Sequence, residues 1–158
     1  MEQQKTYRDR PPRLERYFDE RPLFFLTFNT WKRAPLLATN AVHEAFTNYC
    51  NRGIEMSRTE VGRYVIMPNH GHLFVRGDDQ FDLGVWVRGL KRAIGKMFPE
   101  LSARGELWQE GFQDHVLRHG ESYEEKWKYV FLNPVRAGLV KDPADWPYQG
   151  ELVRIDWR

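Results

Sequence analysis

The chain has 158 residues, 41% of them hydrophobic and 15% aromatic, which is enough to bury one good core and implies a single domain. No segment approaches the roughly 20 uninterrupted apolar residues of a membrane span, and the amino-terminal MEQQKTYRDRPPRLER lacks the apolar block of a secretory signal, so a cytoplasmic protein is expected. The single cysteine, Cys50, excludes an internal disulfide and a cysteine-based zinc cluster, while a net charge of +2 neither requires nor excludes nucleic acid.

Residues 1–21 mix charge with Pro11 and Pro12 and show no period, so they read as an arm outside a domain spanning 22–158. Arg8, Arg10, Arg13 and Arg16 could take that arm to DNA, although Glu15, Asp19 and Glu20 dilute its charge. LFFLTFNT (23–30) is apolar on both faces and β-prone, as a covered central strand should be. Ala38, Ala41, Val42, Ala45, Phe46 and Tyr49 then recur at helical spacing, and Gly53 is expected to end that helix. A hairpin follows, 57–67 and 70–76 about a tight turn at Pro68-Asn69. A second helix is expected over about 82–98, with an apolar stripe of Trp86, Leu90, Ala93, Ile94 and Met97. Arg88, Lys91, Arg92 and Lys96 fall close to its opposite side, as a nucleic-acid contact row or as an ordinary solvated face. A loop leads to a short strand within GELWQEGFQDHVLR (105–118). Ser122 and Glu125 have capping-box spacing and open a third helix that reaches Asn133-Pro134 and ends, with or without a kink there, at Gly138. The first six elements match an α+β, ferredoxin-like (split βαβ) antiparallel sheet, with the last helix added to it.

Two sets of residues could carry chemistry. In HGHLFV (70–75) a strand's period of two turns His70 and His72 to one face and Leu73 and Val75 to the other. Same-face imidazoles beside a turn are either a metal-ligand pair or hydrogen-bonded surface histidines. On the third helix Tyr123, Trp127, Val130 and Phe131 form the apolar stripe, leaving Tyr129 and Asn133 together and off it. A phenol there could attack a metal-bound phosphate, with the Asn133 amide completing the metal shell. The alternative is a tyrosine packed on a sheet and an asparagine ending a helix before proline. Leu132 also lies off the stripe, so that side could be partly buried. His43 reads as structural or solvated, and His115 and His119 as minor candidates.

MPNHGHLFV (67–75), LWQEGFQDHVLR (107–118) and YVFLNPVRAGLV (129–140), in this order, resemble the REP-associated tyrosine transposases, relatives of the single-tyrosine HUH transposases of insertion sequences. PLFFLTFNTWKR (22–33) resembles that family's first strand, and the likeness runs from about residue 13 to DWPY at 145–148. The resemblance implies that His70 and His72 are the histidines of the HUH motif, Tyr129 the nucleophile and Asn133 the third ligand of Mg²⁺ or Mn²⁺. It implies cleavage and rejoining of single-stranded DNA through a 5′-phosphotyrosine, on hairpins of repetitive extragenic palindromes. Arg88, Lys91, Arg92 and Lys96 would then contact phosphates, with Arg118 and Arg136 as further DNA contacts. A monomer is expected rather than a dimer, in the cytoplasm with the nucleoid. The motif's middle position, bulky and apolar in the family, is Gly71, so a packing contact behind the site is expected to be missing. Two other readings stay open: a DNA- or RNA-binding module without efficient catalysis, and an unrelated metal hydrolase on the same scaffold.

Overall fold

The computed structural model describes residues 21–118 and 122–157. Five strands form one antiparallel sheet in the order β4-β1-β3-β2-β5: β1 Phe24–Asn29, β2 Thr59–Ile66, β3 His70–Gly77, β4 Gln113–Val116 and β5 Gln149–Glu151. The helices are α1 Asn40–Glu55, α2 Leu83–Gly95, α3 Pro99–Arg104, α4 Tyr123–Phe131 and α5 Asn133–Arg136. The expected ferredoxin-like arrangement is present in the first four strands, and β5 adds a fifth beside β2 that the sequence reading did not include. Among the described residues no helix is long and apolar enough to cross a membrane.

Strand periodicity divides the sheet into two unlike faces. Leu26, Phe28, Tyr64, Leu73 and Val75 join Val42, Phe46, Trp86, Leu90 and Ile94 in the main core, so α1 and α2 cover one face. Phe25, Thr27, Asn29, His70, His72 and Phe74 alternate to the other, where α4 lies across part of the sheet. Tyr123 makes an edge contact with Phe74 at 4.5 Å, and its hydroxyl accepts a hydrogen bond from Arg63 N at 2.9 Å. That hydroxyl would lie 2.4 Å from a Cβ at residue 62, so only glycine lets the helix seat this deeply on β2. Arg63 fastens the same junction, with Glu151 at 3.0 Å and Glu124 at 2.7 Å.

The helix starts follow the expected chemistry. Thr39, Asp82 and Ser122 each accept a hydrogen bond from the backbone N–H three residues on, worth about 1 kcal/mol apiece. The ends differ. Helix α1 passes Gly53 and runs to Glu55, because that glycine serves packing: a Cβ there would stand 2.3 Å from Thr59 Oγ1. Helix α2 stops at Gly95, so Met97 lies beyond it and is exposed, outside the stripe assigned to it. The segment expected as a loop holds α3, capped by Gly105 in the left-handed region. The third helix is interrupted at Leu132 ahead of Pro134, where its sequence already allowed a kink, since the proline ring cannot continue the hydrogen-bond ladder. Leu132 is exposed rather than partly buried.

Candidate active site

Residues His70 and His72 point from β3 onto the face that α4 only partly covers, with ring centroids 4.8 Å apart. The turn before them is closed by Met67 N donating to His70 O at 2.8 Å, and Leu37 N and Thr30 N donate to the carbonyls of Pro68 and Asn69. Each ring is held at one nitrogen: His70 Nδ1 meets Asn69 Oδ1 at 2.7 Å, and His72 Nδ1 meets Thr27 Oγ1 at 2.8 Å. Phe25 stacks on His72 at 5.4 Å. A ring whose Nδ1–H donates keeps its lone pair on Nε2, the tautomer that ligates a metal.

Burial pushes the His70 imidazole down to about 4, helped by the positive charge of Arg33. Burial likewise takes His72 to about 3, with His70, Arg33 and Arg136 adding to it. Both rings are therefore neutral at pH 7 and need lose no proton to bind a cation. Between pH 6.5 and 4 the unfolded chain takes up protons that the native rings refuse, so native stability falls as pH falls through that window. The expected slope is up to about 1.4 kcal/mol per pH unit for each histidine, and His72→Asn should flatten it by about that amount. Urea unfolding of the metal-free proteins at pH 7 and pH 5 measures this. An unchanged slope in the variant would mean that His72 is not held neutral by burial.

The histidines and α4 enclose a cleft of about 760 Å³. The sheet contributes Phe25, His70 and His72, and the helical wall contributes Lys126, Tyr129 and Asn133. Tyr129 is 68% exposed, off the buried stripe as its position on the helix predicts. The guanidinium of Arg136 lies over its ring, 4.2 Å from the centroid, and donates to Tyr129 O at 2.6 Å and to Asn133 Oδ1. Lys126, and Glu125 beyond its part in the capping box, also face this cleft and were not singled out as site residues in the sequence. Their signal was available, since both share the Tyr129 side of the helix at three- and four-residue spacing.

A divalent cation fits the donor chemistry in part. Two neutral imidazoles offer nitrogen ligands, but among the described residues no third His, Cys, Asp or Glu joins them. The Asn133 amide also lines the cleft, where its Oδ1 accepts a hydrogen bond from Arg136.

The basic row lies elsewhere. Helix α2 packs on the opposite face of the sheet, so Arg88, Lys91, Arg92 and Lys96 do not line this cleft. Arg88, Arg92 and Lys96 are exposed, whereas Lys91 is half-buried over Trp108 and donates to Gln109 O at 3.0 Å and Gly111 O at 2.5 Å. Lys91 thus braces a loop, and desolvation lowers its pKa. Arg118 is exposed just past β4, and His115 is exposed on that edge strand, outside the cleft lining. His43 is structural, its Nε2 2.7 Å from the Tyr64 hydroxyl. His119, Arg8, Arg10, Arg13 and Arg16 lie outside the described residues.

The packing contact expected to be missing at Gly71 is present. Phe28 sits directly across the strand pair from Gly71, and its Cζ would be 2.4 Å from a Cβ at that position. The ring of Phe28 therefore fills, from β1, the space that a bulky residue between the histidines would fill from β3.

Comparison with known proteins gives the family and the fold. Residues 24–130 match the family described as "Transposase IS200 like". The chain is 28% identical over 153 residues to the REP-associated tyrosine transposase of Escherichia coli K12, covering 90% of this chain and 88% of that protein. Its structure is similar to that of a REP-associated tyrosine transposase bound to a REP hairpin, with a TM-score of 0.63, 25% identity, and coverage of 81% of this chain and 75% of the other. A candidate transposase from Deinococcus radiodurans shares the fold at a TM-score of 0.50 and 18% identity, over 70% of this chain and 88% of that one.

Proposed function

The chain belongs to the IS200-like transposase family and is a single-tyrosine transposase, and from that premise we propose that it cuts and rejoins single-stranded DNA beside REP-type hairpins, with Tyr129 as nucleophile. The observation that carries this reading is the shared cleft: two neutral histidines on the sheet face an exposed tyrosine on a separate helix. In the proposed step Tyr129 Oη bonds to phosphorus as the P–O3′ bond breaks. The phenol gives up its proton and the departing 3′ oxygen takes one. A 5′-phosphotyrosine and a free 3′-hydroxyl result, so one phosphodiester replaces another and the bond energy is kept for rejoining. Attack by a 3′-hydroxyl on the phosphotyrosine reverses the step and frees Tyr129.

The family depends on a divalent cation in general. Here His70 and His72 would hold it, with Asn133 as the further ligand, and it would draw charge from the phosphoryl oxygens and ease loss of the phenolic proton. We read the ion as Mg²⁺ or Mn²⁺, with the two nitrogen donors favouring Mn²⁺, since Mg²⁺ prefers oxygen ligands and keeps its waters. Thr27 and Asn69 fix the ring orientations. Arg136 is suited to contact DNA at the cleft, and Arg88, Arg92, Lys96 and Arg118 to contact the backbone further along, where such contacts position a strand without reading its sequence. Lys91, committed to its loop, is the weakest member of that row. The tyrosine helix packs on the sheet of its own chain through Tyr123 and Arg63, which supports action as a monomer. Such a substrate would keep the protein with the nucleoid.

Labelled hairpin oligonucleotides incubated with Mn²⁺, Mg²⁺ or chelator test this reading. The expected product is a metal-dependent cut with a protein-linked 5′ end, and His70→Ala should slow it by at least about 100-fold, the upper range for disturbing a metal site. Tight hairpin binding with no cut under any metal would replace the enzyme by a binding module.

A further inference from the structure

The turn after β1 carries a cation that the proposed chemistry leaves unused. Lys32 and Arg33 both adopt left-handed backbone, with φ of +51° and +58°. The turn is tied to the one that precedes His70: Thr30 N donates to Asn69 O, and the single proton of Thr30 Oγ1 is shared between Ala34 O and Asn69 O. This reversal brings the Arg33 guanidinium back to the end of β1, where Nη1 donates to Asn29 Oδ1. Asn29 is directly across the strand pair from His70, as Thr27 is from His72, and all four side chains share the open face of the sheet. Asn29 is 7% exposed, so a buried amide braces an exposed arginine at the edge of the histidine pair.

The charges around this pair call for an anion. Among the described residues no carboxylate pairs with Arg33, and Arg136, which lies over the Tyr129 ring, is likewise braced by an asparagine. Glu125, the carboxylate in the cleft lining, belongs to α4. A guanidinium offers five donors in a fixed fork that matches two oxygens of one phosphate, and Asn29 occupies one of them.

We propose that Arg33, braced by Asn29 beside His70 at the edge of the cleft, binds the non-bridging oxygens of the phosphodiester that Tyr129 attacks. This inference rests on the function proposed above. In this role Arg33 neutralises charge on the phosphoryl group as it transfers and holds it in line with the phenol, and Asn29 is a positioning residue.

The test is a cycle between side chain and phosphate, run in chelator so that no strand is cut. Hairpin oligonucleotides carry either a normal phosphate or a neutral methylphosphonate at the linkage that the metal-loaded wild type cleaves. Wild type should bind the methylphosphonate about tenfold more weakly, the effect of losing one charge-assisted bidentate contact. Arg33→Gly, a residue that suits the left-handed backbone and so leaves the fold intact, should bind both oligonucleotides within about twofold of each other. Arg33→Lys keeps the charge without the fork, and with metal it should cut at least about tenfold more slowly while binding within about threefold of wild type. A tenfold ratio that survives in Arg33→Gly, or no ratio in wild type, removes Arg33 from the phosphate while leaving hairpin cleavage standing. A wild type that neither binds nor cuts hairpins removes both readings together.

Discussion

Tyr129→Phe is expected to lose strand cleavage and the covalent 5′ adduct by at least about 10⁴-fold, the scale on which deleting a nucleophile acts, while hairpin affinity should stay within about twofold. The separation of these effects follows from the position of the side chain. Tyr129 is 68% exposed and supports the fold through its backbone carbonyl and ring face, both of which meet Arg136 and both of which phenylalanine keeps. Removing its hydroxyl therefore costs under about 0.5 kcal/mol of stability, as surface changes generally do. Cleavage of a labelled hairpin, denaturing gels for the protein-linked strand, and anisotropy for binding read the three quantities in one preparation. Cleavage that persists without the adduct would make water the nucleophile and turn the protein into a metal hydrolase. A parallel loss of binding would mean that the phenol grips DNA rather than attacks it.

Gly71→Val destabilises the protein by about 3 kcal/mol or more, at the upper end of the usual cost of overpacking. The new Cβ would approach Phe28 Cζ to 2.4 Å and Cε1 to 2.6 Å, and the ring cannot withdraw easily. Phe28 is 1% exposed and packs edge-on against Trp108 at 5.6 Å. Restoring a bulky residue between the histidines is thus expected to harm this protein, because β1 already supplies the bulk. For a chain of this size each kcal/mol lowers the melting temperature by about 2 to 4 °C, so a fall of roughly 6 to 12 °C is expected. Phe28→Ala alone should cost about 3 to 5 kcal/mol through the cavity it leaves. The double variant should be more stable than the sum of the single losses by at least about 1 kcal/mol, since each change relieves the other. Additive losses in denaturant melts would show that the two positions do not share one space. Because His70 and His72 flank residue 71, the single variant should also weaken metal-dependent cleavage, and Phe28→Ala combined with it should return part of that activity.

Much of the site was open to local reading. A period of two in HGHLFV turns His70 and His72 to the same side, and helical spacing sets Tyr129 and Asn133 off the stripe made by Tyr123 and Val130. Ser122 three residues before Glu125 marked the start of α4, and the order of strands and helices named the sheet. These features follow from backbone geometry within a few residues, which repeats wherever the same pattern occurs. What stood opposite each residue was not open in this way. That Phe28 fills the space beside Gly71, that Lys91 is spent on the carbonyls of Gln109 and Gly111, and that α2 turns its basic row away from the histidines all depend on register and layer. The edge strand β5 is too short to carry a periodic signal and is defined by its pairing with β2. Arg33 was hidden most completely, because two consecutive non-glycine residues in left-handed backbone contradict their local preference and are held there by contacts with Asn29 and Asn69. The sequence by itself determined the elements, their faces and the chemistry they could offer, because periodicity and capping are local. Only the tertiary structure decided which of those groups meet, because register, close approach and neutralised charge arise between segments far apart in the chain.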